Sequence, residues 1–495
     1  MSIKALYNKS NFMISLVILL FMLKGIFYAV YIVPPTLGVS PDDVGHFSYI
    51  QYIAEEKRLP ILNQTNMSDL ANKIYEDYYV NGIVNSDIDI LKTTFDGNDN
   101  KNWIAQHPPL YYLLLAPIYI IIKLFSSNFI FILLGLRIFT LLFGCVTLIY
   151  MKKLLEKLNA GNVVKNSIYM LFLFSPPIQF YFSNVTNDSL LICLCVAALY
   201  YLIKYCQGNL EKDYYIFVVI CAFIILTKYT GGLILLGYIL YFIYRSYKDN
   251  GIEKTFLMCA KGGLLGLLLL SLLLGRNLYL HGELFPISGD VIETYYDISF
   301  FEFLFKVGFV SDILKNFVML IGSKDFIRPL DINLIIVDII LLICAVGSAL
   351  SYHTNRKKFL YEICIVTFFI ILLYSFRIPP LLCIEAGLYL FILINYLNSN
   401  MPAYKKEISH FFTLSLLIMV LIFLREHYAA CLKYGAIRAT HGRYYYIGLF
   451  PFLYIMTNGL DNIRNNLFKK IVPIFFMILL ICGELVVIQQ CLNTF

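Results

Sequence analysis

Residues 108–125 read Pro108-Pro109-Leu110-Tyr111-Tyr112-Leu113-Leu114-Leu115-Ala116-Pro117-Ile118-Tyr119-Ile120-Ile121-Ile122-Lys123-Leu124-Phe125, and whether this stretch crosses a membrane decides the fold. It does not stand alone. Apolar runs of near-bilayer length recur along all 495 residues, of which 59% are hydrophobic and 14% charged. That composition excludes an ordinary soluble domain and indicates an all-α polytopic membrane protein. Candidate spans fall at about 11–33, 128–150, 166–183, 186–206, 213–228, 230–246, 254–275, 332–352, 359–376, 379–396, 408–424, 443–460 and 470–490. They number thirteen without 108–125.

Basic residues arbitrate, because cytoplasmic loops carry an excess of Lys and Arg. With the N-terminus inside, the inner loops hold Lys152, Lys153, Lys157 and Lys165; Lys204 and Lys212; Arg245, Lys248 and Lys254. They continue with Arg356, Lys357 and Lys358; Lys405 and Lys406; Arg464, Lys469 and Lys470. A crossing at 108–125 would move every one of these loops to the other side. The stretch is therefore expected to lie at or dip into the outer leaflet. Two large outer loops follow, 34–107 and 276–331, within a single integral membrane domain spanning 1–495. The first is expected to hold an amphipathic helix from Val44 to Glu56 and a polar loop from Thr94 to Asn102. The second is expected to rest an amphipathic stretch, Phe301 to Leu320, on the membrane.

Lys and Arg exceed Asp and Glu by 39 to 32, and the excess sits in short loops, which indicates topology and not nucleic-acid binding. The 12 Cys show no metal or disulfide spacing and read as apolar packers. Lys4 and Lys9 precede a long apolar run with no small-residue cleavage site, so a retained first span is expected at the N-terminus. Localisation in a plasma (inner) membrane follows.

With this alternation the outer segments carry a particular set of side chains. Ser40-Pro41-Asp42-Asp43-Val44-Gly45-His46-Phe47 puts two carboxylates and an imidazole at the mouth of the first span. Gln106-His107-Pro108-Pro109 ends the first loop, Asn187-Asp188 opens the fourth span and Thr227-Lys228-Tyr229 closes the fifth. Arg276-Asn277 starts the second large loop, and His441-Gly442-Arg443-Tyr444 precedes the twelfth span. Each has a plainer reading. Ser40, Asp42 and Asp188 would cap helices, Lys228 and Arg276 would snorkel, and Pro109 would open a helix. Arg443 would anchor beside the Tyr444, Tyr445 and Tyr446 belt. Together they have a chemical meaning. A surface carboxylate can act as general base on an acceptor hydroxyl, and Lys and Arg at headgroup depth can stabilise a departing lipid phosphate. Those are the parts needed to move a sugar off a polyprenyl-phosphate carrier.

The residues Pro41 to Phe47, with Ile53-Ala54-Glu55 and Arg58-Leu59-Pro60, resemble the first-loop signature of the GT-C glycosyltransferase superfamily. His107-Pro108-Pro109-Leu110-Tyr111-Tyr112 resembles the motif closing that loop in its protein-mannosyltransferase-like and aminoarabinose-transferase-like branches. Arg276-Asn277 with Gly282, and Gly442-Arg443-Tyr444 with Pro451, resemble a bacterial branch of GT-C-like proteins. The resemblance implies many spans, often thirteen, with juxtamembrane helices in the first loop. It implies an inverting transfer from a polyprenyl-phosphate sugar with the first motif acid, Asp42, as base. Asp43 takes the second catalytic position, where Glu is commoner. Lys228 matches a basic position near the donor phosphate, joined here by Arg276 and Arg443, while His46, His107 and Asp188 would position donor or acceptor. No cofactor is demanded; a divalent cation, if used, would draw on Asp43 and His46. The acceptor would be an extracytoplasmic protein hydroxyl, lipid or envelope glycan. Two rivals stand behind this reading. One is a transporter or flippase of a lipid-linked sugar, which would need mid-membrane charges, broken helices and a repeat. The other is a non-catalytic accessory subunit of the same fold.

Overall fold

Proline and glycine decide where the long apolar runs break. The computed structural model describes residues 3–33, 36–37, 42–81, 90, 94–288, 295–310, 331–350, 356–398, 402–436 and 442–494. Ser40, Pro41, His441 and the part of the Phe301–Leu320 stretch beyond 310 lie outside the described residues. Each of the thirteen predicted segments is helical over most of its described residues, and the described residues contain no strand. Seven described helices are long and apolar enough to cross a membrane: Phe12–Ile32, Phe129–Lys157, Asp188–Gly208, Tyr229–His281, Lys357–Ser375, Pro380–Asn398 and Ala403–Tyr434. Their outward faces are apolar, as along Leu264, Leu267, Leu268 and Leu272, all exposed. Only hydrocarbon suits such a surface. The protein is a polytopic helical membrane protein.

The breaks have local causes. The predicted segment 166–183 is two helices, Asn162–Phe174 and Pro176–Phe182, because Pro176 has no N–H and Ser175 before it is held extended at ψ 117°. Within the long helix α10 (Gly232–His281), Gly251 adopts φ 79°, a left-handed conformation open to glycine, and separates two apolar runs.

The chain packs as two compact units. The first comprises Met1–Lys153, Gln179–Leu235 and Phe242–Asp290. It contains α1 (Ile3–Phe27), α2 (Asp43–Glu56), α3 (Asp69–Asn81), α4 (Leu110–Phe125), most of α5 (Phe129–Lys157), α8 (Asp188–Gly208) and α9 (Glu211–Thr227), counting the pair at 162–182 as α6 and α7. The first loop is anchored where an amphipathic helix is expected. Val44, Phe47 and Ile50 of α2 pack with Tyr111, Tyr112, Leu115 and Tyr119 of α4 and with Phe129 and Leu133 of α5. Unlike an ordinary amphipathic helix, α2 is buried from Asp43 to Tyr52. Helix α3 is a second helix of this loop, in keeping with the juxtamembrane helices that the resemblance implies there. The Thr94–Asn102 segment is irregular as expected, and it folds over α3: Asp69 accepts from Thr94 Oγ1 and from the Gly97 N–H at 3.1 Å.

Helix α4 has one buried face, and its other face, Leu113, Leu114, Ile121, Leu124 and Phe125, is exposed. Its 16 residues span about 24 Å, short of a hydrocarbon core of about 30 Å. Lys123 near its end pairs with Glu55 of α2 at 2.7 Å.

Arg137, within α5, is wholly buried. It donates to the carbonyls of Ala29 and Val33 at 2.9 Å and of Thr36 at 3.4 Å, around the π-helical end of α1. The Ala29 carbonyl lies in the last turn, where a terminating helix leaves carbonyls without an internal partner. Asp43 also lies within coulombic range of this guanidinium.

The second unit comprises Leu154–Ile178, Leu236–Tyr241 and Val291–Phe495. In it Asn466–Thr494 packs on α6, and Gly161 opens α6 with its N–H on Asp461 Oδ2 at 2.9 Å. Arg443 belongs to this unit, in the 3₁₀ segment Gly442–Gly448.

Candidate active site

Asp42 precedes α2 in a left-handed conformation, φ 67°, which Asp and Asn tolerate better than other non-glycine residues. Its carbonyl accepts the His46 N–H at 3.0 Å, the first bond of the helix, while its carboxylate makes no capping bond. The capping role expected for it is therefore taken by its backbone alone. The carboxylate instead accepts the indole N–H of Trp103 at 3.0 Å.

Trp103 starts a 3₁₀ turn, Trp103–Gln106, that sits directly on the first turn of α2. Gly45 permits this approach, since a Cβ there would lie 2.5 Å from Ile104 Cγ1. Asn102 locks the junction: its side chain accepts the Ile104 N–H at 3.0 Å and donates to the Gly45 carbonyl at 3.1 Å. The end of the loop is held the same way, by Tyr49 O–H donating to the His107 carbonyl at 3.3 Å. Burial pushes the Tyr49 phenol well above its ordinary range, with the Arg276 charge opposing, so it remains a donor.

Behind Asp42 the aromatic rings form a file. His107 stacks on His46 at 6.1 Å, His46 on Tyr112 at 5.8 Å, and Tyr112 on Tyr49 at 3.8 Å. His46 Nδ1 and Tyr112 O–H share a hydrogen bond of 2.8 Å.

Asp188 and Lys228 reach the same region from α8 and α9. Lys228 ends α9 in an extended conformation, and Asn187 Nδ2 ties the α8 start to the Thr227 carbonyl at 3.2 Å. Lys228 Nζ meets Asp188 Oδ1 at 2.6 Å, both buried. A buried ion pair replaces the snorkelling anchor and the helix cap that each residue offers when read singly. Lys228, His46, Asp188 and Asp42 all act electrostatically on His107. Arg276 approaches from α10, donating to the Pro60 carbonyl at 2.7 Å and lying within coulombic range of Tyr49. Its neighbour Asn277 bonds Tyr229 O–H at 2.8 Å, and Ser288 N–H bonds Gln106 Oε1 at 3.0 Å.

The first unit thus gathers Asp42, His46, His107, Asp188 and Lys228, with Arg276 at the edge. Arg443 sits in the second unit, buried, with its guanidinium 5.3 Å from the Tyr444 ring. Tyr445 and Tyr446 beside it are buried, so they form core and no interfacial belt. Asp43 is buried, 1% exposed, within coulombic range of Arg137. Among the described residues no three His, Cys, Asp or Glu side chains converge as metal ligands. His46 Nδ1 is engaged with the Tyr112 hydroxyl, and Asp43 lies within coulombic range of Arg137.

His107 is held well below its ordinary pKa, first by burial, then by the Lys228 charge. It is neutral at pH 7. A depressed histidine pKa gives stability that is present above about pH 6.5 and lost as pH falls below it. Thermal unfolding followed from pH 8 to pH 5 is expected to fall on the acid side. His107→Gln is expected to flatten that fall; an unchanged slope would show that another group controls it.

Sequence alone gives no site role to Trp103, Arg137 or Tyr49, and it names Tyr112 only within the His107–Tyr112 motif. Two had signals: Arg137 is a lone cation inside the 128–150 run, and Trp103 is the one Trp of the chain.

Comparison with known proteins gives a partial match. Residues 106–274 match the model of the dolichyl-phosphate-mannose-protein mannosyltransferase family, of the GT-C superfamily. That is about a third of the chain; it contains His107, Asp188 and Lys228 and leaves out Asp42, Asp43, His46, Arg276 and Arg443. No curated protein and no solved structure matches. The match points to a membrane glycosyltransferase of the GT-C type.

Proposed function

We propose that the protein transfers a sugar from a polyprenyl-phosphate carrier to a hydroxyl acceptor on the extracytoplasmic face, by single displacement with inversion. The observation that carries this reading is Asp42: a partly exposed carboxylate, fixed by Trp103, beside the Asp188–Lys228 pair and two histidines. Asp42 takes the acceptor proton as the acceptor oxygen bonds to the anomeric carbon. The bond from that carbon to the phosphate oxygen breaks, and its electron pair leaves with the lipid phosphate. Lys228 and Arg276 offset the charge gained there. His46 and His107 orient the reactants. Asp43 acts through Arg137 to hold the turn that carries Asp42. No step is routed through a cation.

Two tests belong here. If the outer side carries the site, a single Cys at Asn98 labels from outside and one at Asn159 from inside, with accessible native thiols removed. Labelling of both from one side would overturn the topology and the position of α4. For the donor site, Lys228→Ala and Arg276→Ala are each expected to weaken donor binding about tenfold to a hundredfold. That is the equivalent of one charge-assisted hydrogen bond of about 1.5–3 kcal/mol. Donor affinity unchanged in both would make them structural.

A further inference from the structure

We infer that Trp103 is a positioning residue for the base, a proposal that rests on Asp42 acting as that base. The indole N–H is 3.0 Å from Asp42 Oδ1, and it stands on a turn pinned at both ends. On one side Asn102 holds the Gly45 carbonyl and its own N–H bonds the Thr65 carbonyl at 2.9 Å. On the other the His107 N–H bonds the Ile104 carbonyl at 2.9 Å. The ring also packs against the core shared by α2 and α4. The donor is therefore presented by a rigid element, and it fixes the rotation of the carboxylate about its Cβ–Cγ bond.

The kind of donor matters as much as its place. An indole N–H only donates, unlike a hydroxyl, which can reverse its role. Oδ1 must remain an acceptor throughout the reaction, so the acceptor proton arrives on Oδ2. The O–H bond of the acceptor breaks, an O–H bond forms at Oδ2, and the indole bond persists in both states. A bond from a donor to the carboxylate also favours its charged form, the form a base needs at rest.

The chain has a single Trp, so its emission reports the surroundings of Trp103 alone. Full-length protein in lipid nanodiscs is titrated from pH 8 to pH 3 while Trp emission is followed, in wild type and in Asp42→Asn. A transition in the carboxylate range is expected in wild type and its absence in Asp42→Asn. The same transition in both would overturn the proposal. Turnover is measured as release of polyprenyl phosphate from whichever polyprenyl-phosphate hexose of a panel the wild type uses best. Trp103→Phe is expected to lower kcat about tenfold to a hundredfold and to move the acid limb of the pH profile up by about one unit, with donor affinity kept. Because the Phe variant changes packing, the one Trp is also replaced biosynthetically by benzothienylalanine, which exchanges only the N–H for sulfur. An unmoved acid limb and unchanged kcat in that protein would overturn positioning. Asp42→Asn turning over at the wild-type rate would instead remove the base itself and the proposal with it.

Discussion

Asp42→Asn is expected to fold, to bind donor nearly as wild type does, and to turn over roughly 10²–10⁴-fold more slowly, the usual share of general acid–base catalysis. Asn is suited to the left-handed conformation at φ 67°, and the backbone carbonyl that starts α2 is untouched. The amide oxygen can still accept from Trp103. The proton-accepting capacity is lost, together with the negative charge that acts on His107. Asp42→Ala is a poorer test, because it adds a strained backbone of about 1–2 kcal/mol to the chemical loss. Asp43→Asn should act differently: Asp43 is buried within coulombic range of Arg137, so its loss is expected in stability before turnover. Normal turnover in Asp42→Asn with a dead but folded Asp43→Asn would assign the base to the wrong carboxylate.

Arg137→Met is expected to cost about 3–5 kcal/mol, the range for breaking a buried charge arrangement from one side. It would strand the carbonyls of Ala29, Val33 and Thr36 and leave the Asp43 charge without its counter-ion. Arg137→Lys should recover only part, since an ammonium cannot span three carbonyls as a planar fork does. Combining Arg137→Met with Asp43→Asn is expected to cost less than the sum of the two, because the stranded charge is removed as well. Thermal unfolding of the purified variants reads all four. A wild-type melting point for Arg137→Met would show that this contact does not hold α1, α2 and α5 together.

Much of the fold was legible because hydrophobic runs and loop charge are local signals. The apolar runs, their basic connections and the helical first loop could all be read from residue type and spacing. The Ser175–Pro176 break was equally present in the sequence, since Pro176 removes a donor, yet a single run from 166 to 183 is equally apolar. What escaped depends on partners distant in sequence. Lys228 reads as an anchor until Asp188, forty residues earlier, is seen to accept from it at 2.6 Å. Asp42 reads as a cap until Trp103 takes its carboxylate. Arg137 looks misplaced in an apolar run until the end of α1 is brought to it. An ionisable group inside a span seldom lacks a partner, and that rule alone should have marked it.

The central claim is that the site breaks a bond between a sugar and a lipid phosphate, and product release tests it most directly. Purified full-length protein in nanodiscs is given a polyprenyl-phosphate sugar and a mixture of hydroxyl acceptors, and free polyprenyl phosphate and glycosylated acceptor are quantified together. The account predicts both products in equal amounts from wild type, and a loss of roughly 10²–10⁴-fold in Asp42→Asn. Intact donor with every sugar and acceptor offered, or equal release from Asp42→Asn, would contradict it.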